Sequence, residues 1–302
     1  MAIYKYVTAE RIDIFKNGHI RFTQPSVFND PFETFPYFFA IAPEDAVDDF
    51  LKKQPKEKFE QSLSEAWTKE CQKYGINIPL SMVRGLMPKA EDVQPIIHNW
   101  LKQFMTMKQP DFRNLATHTI LEGINKAFGM LCLTEKPDNL LMWAHYSRNH
   151  TGFVIEFDEK HDFFDPKTSD KQIANKLMKV RYAKKRPEIT LFDPAVSSEQ
   201  NLEHWANDLF LVKSEHWEYE QEWRMIRSLK ECTKIMNGSE EIYLYPIPLE
   251  CITGIIWGCR ILESARDFLY LRVRGNKEFS HVRLWQASIN EKEYKLDFKE
   301  IS

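Results

Sequence analysis

The sequence lacks several features that would fix a function class at once. No apolar run among its 302 residues approaches the roughly 20 needed to cross a bilayer. The longest, Pro36–Pro43 and Cys251–Gly258, have the length of strands. The start, MAIYKYVTAERIDIF, has no basic leader followed by an apolar core and a small-residue cleavage site, so no signal peptide is expected. Cysteine is sparse: Cys71, Cys132, Cys232, Cys251 and Cys259 are odd in number and form no C-x-x-C pair. Reduced, buried thiols in a cytoplasmic protein fit better than a disulfide framework. Neither charge sign dominates; the formal net charge is −3, which gives no broad basic surface for nucleic acid or an anionic membrane. Disorder is excluded by the 13% aromatic content together with that small net charge. The phosphate cradles G-x-x-x-x-G-K-[ST] and G-x-G-x-x-G are absent, as are H-E-x-x-H and the G-x-S-x-G nucleophile elbow. His145 and His150 are five apart, a spacing that does not put both on one helical face for a metal.

What is present reads as one α+β domain over residues 1–302. Ile3–Val7 and His19–Thr23 are short strands, the second after the turn signal Asn17-Gly18. QPSVFNDPFE follows, a proline-bracketed loop that can be neither a regular helix nor a central strand. Residues 44–128 then change to helical periodicity and form a helical insertion or subdomain. Its stripes are Phe59, Leu63, Ala66, Trp67 and Cys71; Val93, Ile96, Ile97, Trp100, Leu101, Phe104 and Met105; and Phe112 through Ala127. From Gly129 strands return at Met130–Thr134, Phe153–Asp158, Val180–Tyr182, Tyr219–Ser228, Ile242–Pro246, Ile252–Trp257 and His281–Ala287, before a polar tail. Between them the pattern predicts a helix capped by Asp138 and running to about Asn149. Further helices are expected near Ser169–Lys179, Glu199–Ser214 and Glu263–Arg272. Strands scattered among unlike helices imply a mixed or antiparallel sheet.

Three constellations carry candidate chemistry. In Phe28-Asn29-Asp30-Pro31-Phe32-Glu33, Asn and Asp before proline favour a tight turn through side-chain bonds to nearby backbone N–H groups. The same loop could present Asn29, Asp30 or Glu33 to a ligand. In Met142-Trp143-Ala144-His145-Tyr146-Ser147-Arg148-Asn149-His150-Thr151-Gly152, a continuous helix puts Trp143, Tyr146 and His150 on one face. They are either core aromatics or rings that stack on a base or nicotinamide while a His or Tyr donates to the ligand. Gly152 would stop the helix or let the next strand pack closely. In Lys213 through Arg224, strand alternation puts Glu220, Glu222 and Arg224 on one face. Like charges raise one carboxyl pKa and an arginine lowers its neighbour's, the separation of roles that acid/base chemistry uses. An ordinary solvent-facing strand carries such a pattern too.

The segments IYKY, RFTQPSVFNDPFE, LCLTEKPDNLLMWAHYSRNHTGFVIEFD and KSEHWEYEQEWRMI together resemble an uncharacterised bacterial family, domain of unknown function 2971, which has no settled activity to carry over. Glu220-Gln221-Glu222 is also similar to the E-x-E strand of ADP-ribosyltransferases, although the S-T-S strand of one large branch is missing. That resemblance implies an ADP-ribosyltransferase-like fold, NAD as substrate, and transfer of ADP-ribose to a macromolecular acceptor. It makes Glu222 the glutamate that bonds the nicotinamide ribose and Glu220 its partner near the acceptor. Tyr146 and His145 join them as catalytic candidates, with Tyr146 or Trp143 stacking on nicotinamide. Lys5, Tyr6, Arg21, Asn29, Asp30, Trp143, His150 and Arg224 become the nucleotide-binding set, with Lys5 or Arg21 at the early Arg/His position. Toxin and phage-defence settings are common for such domains, so an antitoxin-like partner is a further expectation, with no membrane. Two rivals remain at this level. Glu156, Asp158 and Lys160, with Asp30, have the spacing of some Mg²⁺ nucleases, and an aromatic-polar cleft also suits a non-enzymatic nucleotide- or peptide-binding protein.

Overall fold

The computed structural model of the protein describes residues 2–34, 37–40, 42, 44–53, 56–73, 95, 96, 98, 99, 102, 110–166, 175–190 and 207–301. Fifteen strands are found among them: β1 (Ala2–Val7), β2 (His19–Phe22), β3 (Tyr37–Ala40), β4 (Phe128–Thr134), β5 (Phe153–Asp158), β6 (Leu177–Lys179), β7 (Arg181–Ala183), β8 (Glu188–Thr190), β9 (Val212–Ser214), β10 (Glu222–Ser228), β11 (Thr233–Asn237), β12 (Glu240–Pro246), β13 (Ile252–Trp257), β14 (Arg283–Ile289) and β15 (Leu296–Ile301). The helices are α1 (Ile14–Asn17), α2 (Glu44–Lys52), α3 (Lys56–Lys73), α4 (Pro110–Ala127), α5 (Leu140–Tyr146) and α6 (Glu263–Arg274), with several short 3₁₀ turns. The fold is α+β, as the strand-and-helix pattern implies.

The chain divides into two compact units: residues 1–36, 118–187 and 205–302, and residues 37–117 with 188–204. The second unit contains α2, α3 and the parallel pair β3–β8. The helical stretch expected over 44–128 overlaps it, yet the unit begins at Tyr37, stops at Thr117 and takes in 188–204. Helix α3 coincides with the first apolar stripe and α4 with the third. The side chains of Phe59, Leu63, Trp67 and Cys71 lie outside the described residues, as does most of the stripe from Val93 to Met105.

The first unit is built on an eight-stranded mixed sheet, β15-β14-β13-β5-β1-β4-β10-β6. Only β13 and β14 run parallel, joined by α6; the other ladders are antiparallel. β5 is buried along nearly its whole length, so it sits at the centre. Its neighbour β1 pairs with it from Ala2↔Asp158 to Val7↔Phe153. Gly152 permits the tight entry into this ladder, since a Cβ there would lie 2.1 Å from the Val7 carbonyl oxygen. The largest hydrophobic cluster gathers Ile3, Val7, Leu131, Leu133, Ile155, Phe157 and Met225 from one face of these strands. A smaller one holds Tyr6, Met142, Trp143, Val154 and Ile256 on the other.

One ladder is incomplete. β4 pairs with β10 from Phe128 to Thr134, whereas it meets β1 only at Tyr4↔Thr134. The sheet is therefore split between β1 and β4.

Several local expectations differ from the structure. The α5 cap is Asn139, whose side chain accepts from the N–H groups of Leu141 and Met142, not Asp138. The helix ends at Tyr146, because Arg148, Asn149 and His150 all take left-handed conformations. Leu177–Lys179 is strand rather than helix; the helix expected over Glu199–Ser214 is present at residues 207–210 and gives way to strand at Val212–Ser214, while residues 167–174 and 191–206 lie outside the described set. β11 and β15 have no counterpart in the sequence pattern.

Candidate functional site

Residues 219–228 do not form one strand. Glu215–Glu220 is a 3₁₀ turn, Gln221 is left-handed at φ 43°, and the strand begins only at Glu222. Strand alternation is thus the wrong reason for pairing Glu220 with Glu222. The kink nevertheless brings both carboxylates to the same amine. Lys213 Nζ donates to Glu220 Oε2 at 2.6 Å and to Glu222 Oε2 at 2.9 Å. The turn is pinned from two sides: Thr134 Oγ1 donates to the Glu220 carbonyl, and Asn139 Nδ2 donates to the Tyr219 carbonyl at 2.8 Å. Lys213 is delivered by the parallel pair β7–β9, in which Tyr182 faces Lys213 and accepts from the Glu222 N–H at 2.8 Å.

Arg224 follows Glu222 on the same strand face and grips it bidentately, Nε to Oε1 at 2.7 Å and Nη2 to Oε2 at 2.9 Å. Its remaining donors reach the Phe210 carbonyl and Glu33 of the FNDPFE turn. The Phe28 ring lies 5.6 Å from its guanidinium. Three carboxylates (Glu33, Glu220, Glu222) therefore share two cations (Lys213, Arg224), and all five residues are at least nine-tenths buried. Desolvation pulls the Lys213 pKa down, but Glu222 and Glu220 outweigh it and the net shift is upward. Burial pushes Arg224 down to about 9, which leaves it cationic near neutrality.

The FNDPFE loop closes in as its sequence suggests. Asp30 Oδ1 accepts from the Phe32 N–H at 2.9 Å, an Asx turn, and the Glu33 N–H donates to the Asp30 carbonyl. Asn29 Nδ2 donates to the Tyr146 hydroxyl at 3.1 Å, and that hydroxyl donates to Glu220 Oε1 at 2.6 Å. Burial and then the Glu220 charge hold the Tyr146 phenol well above its usual pKa, so it remains a donor.

A cavity of about 230 Å³ is lined by all three segments and by β1 and β4: Asn29 and Glu33, Met142 and Tyr146, Lys213, Glu220 and Glu222, with Tyr4, Lys5, Tyr6 and Cys132. Lys5 Nζ donates to the Cys132 carbonyl at 3.1 Å, across the gap between the two strands. Desolvation lowers its pKa. Burial and then Glu222 raise that of the Cys132 thiol.

Not every candidate reaches this cavity. Trp143 is fully buried, donates to the Pro137 carbonyl at 2.8 Å and packs edge-on against Tyr6. His150, off the helix, stacks on its far side at 6.0 Å. His145 is exposed beside Trp217. Arg21 pairs with Glu240 at 2.5 Å. Tyr6 lines the cavity with its ring, while its hydroxyl donates to the Lys136 carbonyl. Asp30 belongs to an adjoining cavity. Glu156 accepts from Thr253 at 2.8 Å and from Arg283 at 3.1 Å, and Asp158 caps its own turn by accepting from the Lys160 N–H. Among the described residues no group of three or more His, Cys, Asp or Glu is placed to hold a metal ion. Tyr182, Tyr4 and Cys132 are not separable in the sequence from ordinary strand residues, and Lys213 falls in the expected helix over Glu199–Ser214. Only the density of Glu and Trp around Lys213 marked its segment.

Two of these three segments fall within a stretch that resembles a known family. Residues 142–225 match the model of a family described as Protein of unknown function (DUF2971). This stretch contains Tyr146, Lys213, both glutamates and Arg224, whereas Lys5 and the FNDPFE turn lie before it. No curated protein and no solved structure matches the chain.

Proposed function

We propose that this cavity binds NAD through its nicotinamide riboside half and that the protein transfers ADP-ribose to a macromolecular acceptor. The observation that carries the reading is the meeting of an early-strand cation, a mid-chain tyrosine and a late carboxylate pair, Lys5, Tyr146 and Glu220/Glu222, around one small cavity. Those are the three elements, in chain order, that the ADP-ribosyltransferase resemblance implies. Arg21 is withdrawn from the early position, because it is engaged with Glu240 on a different sheet.

The chemistry suits the surroundings. Nicotinamide in NAD is a cationic ring, and the scission state is an oxocarbenium-like cation. A cavity walled by Tyr4, Tyr6 and Tyr146, with the Glu220 and Glu222 carboxylates against it, favours both. In the transfer step the C1′–N bond breaks and its electron pair neutralises the departing pyridinium. The acceptor's nucleophile forms a bond to C1′, and its proton passes to a carboxylate. Glu220, bonded to Tyr146 and open to the cavity, is assigned that proton. Glu222, held rigid by Arg224 and Lys213, is assigned the ribose hydroxyls.

Calorimetry with NAD, followed by nicotinamide release in the presence of cell extract, tests the reading. The wild type binds NAD without added metal and releases nicotinamide, and Glu222→Gln abolishes release. No heat with NAD and no release with any extract would sink it.

A further inference from the structure

A second cavity, of about 310 Å³, adjoins the first through the shared side chains Glu33 and Lys213. Its rim carries Lys184, Lys185 and Arg186, three consecutive exposed cations just after β7. The Arg186 guanidinium lies 5.9 Å from the exposed ring of Phe32. The acids in the wall are mostly compensated: Glu33 by the cation cluster, and Asp208 by Arg181 at 2.9 Å. Asp30 is different. It is 5% exposed, its Oδ1 is occupied by the Phe32 N–H, and its buried Oδ2 has no hydrogen-bond partner among the described residues. A buried carboxylate oxygen without a donor is costly, and a ligand that brings a hydroxyl would complete it.

We propose that this cavity is a ribose-phosphate subsite, in which Asp30 Oδ2 accepts a sugar hydroxyl and Lys184, Lys185 and Arg186 hold the phosphates. It rests on the NAD reading above and deepens it, by giving the ADP half a place beside the nicotinamide riboside half. Lys213 and Glu33, shared by both cavities, then lie under the junction of the two halves. Three consecutive cations on a surface are not by themselves a site. The orphaned acceptor at the cavity wall is what distinguishes this one.

The test uses ADP, which has a ribose and two phosphates but no nicotinamide, titrated into the full-length protein by calorimetry. The wild type binds ADP, more weakly as salt rises, and about tenfold more tightly than adenosine. The triple change Lys184→Gln, Lys185→Gln, Arg186→Gln weakens ADP about tenfold and leaves adenosine unchanged. Asp30→Asn keeps the acceptor for the Phe32 N–H, replaces Oδ2 by an amide donor, and weakens both ligands. Circular dichroism melts establish that each variant is folded. Absence of ADP binding, or binding that both variants leave within twofold, overturns the proposal. If ADP behaves as stated and NAD is never turned over, the transferase reading falls and the subsite stands. If NAD is turned over while ADP ignores these residues, the reverse holds.

Discussion

Two buried glutamate sites flank Tyr4, and they are built differently. On one side Glu156 faces Tyr4 across the β1–β5 ladder, with the hydroxyls of Thr253 and Tyr4 and one arginine, Arg283, whose side chain is 58% exposed. On the other side the β1–β4 ladder stops after a single pair, and three carboxylates share Lys213 and the fully buried Arg224. Glu156 is a balanced ion pair near solvent, which contributes little and needs no ligand. The Glu33, Glu220 and Glu222 carboxylates are held by two buried cations, Lys213 and Arg224, and have a cavity against them. Residue type does not separate these sites; the burial of the partner cations and the adjoining cavity do. The Mg²⁺-nuclease alternative drew on Glu156, and that carboxylate is already engaged by its partners.

The comparison can be broken experimentally. The largest effect is expected from catalysis. Glu220→Gln and Glu222→Gln should each lower nicotinamide release at least about 100-fold, whereas Glu156→Gln should change it less than about twofold. Equal losses at Glu156 would erase the distinction. Stability comes next. Arg224→Met strands Glu33 and Glu222 in the interior and should cost about 3–5 kcal/mol in urea unfolding, while Arg283→Met should cost under about 1 kcal/mol. Tyr146→Phe removes the donor to Glu220 while keeping the ring, so it should reduce release about tenfold with little change in melting temperature.

The smallest effect is titration. Lys5 and Lys213 line the same cavity but shift oppositely, Lys5 down through desolvation and Lys213 up through its carboxylates. In ¹³C-lysine NMR, Lys5 should lose its proton below the usual 10.5 and Lys213 above it. A raised folded pKa on a base contributes stability that is complete below 10.5 and disappears as pH rises through the raised value. Glu220→Gln should therefore lessen the alkaline loss of stability.

Much of the frame was legible in the sequence because burial on both faces leaves short, mostly apolar runs. Phe153–Asp158 and Ile252–Trp257 match their strands residue for residue. The misses have physical causes. β11 is exposed throughout and β15 at half of its residues; ladder bonds rather than apolar periodicity define them. The α5 helix is cut short by three left-handed residues of types that helices tolerate. Glu220 and Glu222 were paired by an alternation that the 3₁₀ turn and Gln221 replace. The cavity itself was not legible, since it depends on where β1 leaves β4 and on Lys213 arriving from a third strand.

The central claim is that FNDPFE, WAHY and EYEQE converge to hold one ligand in the split of the sheet. The most direct measurement is a crystal structure of Glu222→Gln soaked with NAD, in which turnover is blocked. The account predicts the nicotinamide ring beside Tyr146 and Lys5, with its ribose at Glu220 and position 222. Nicotinamide bound elsewhere, with this cavity holding only water, would contradict it.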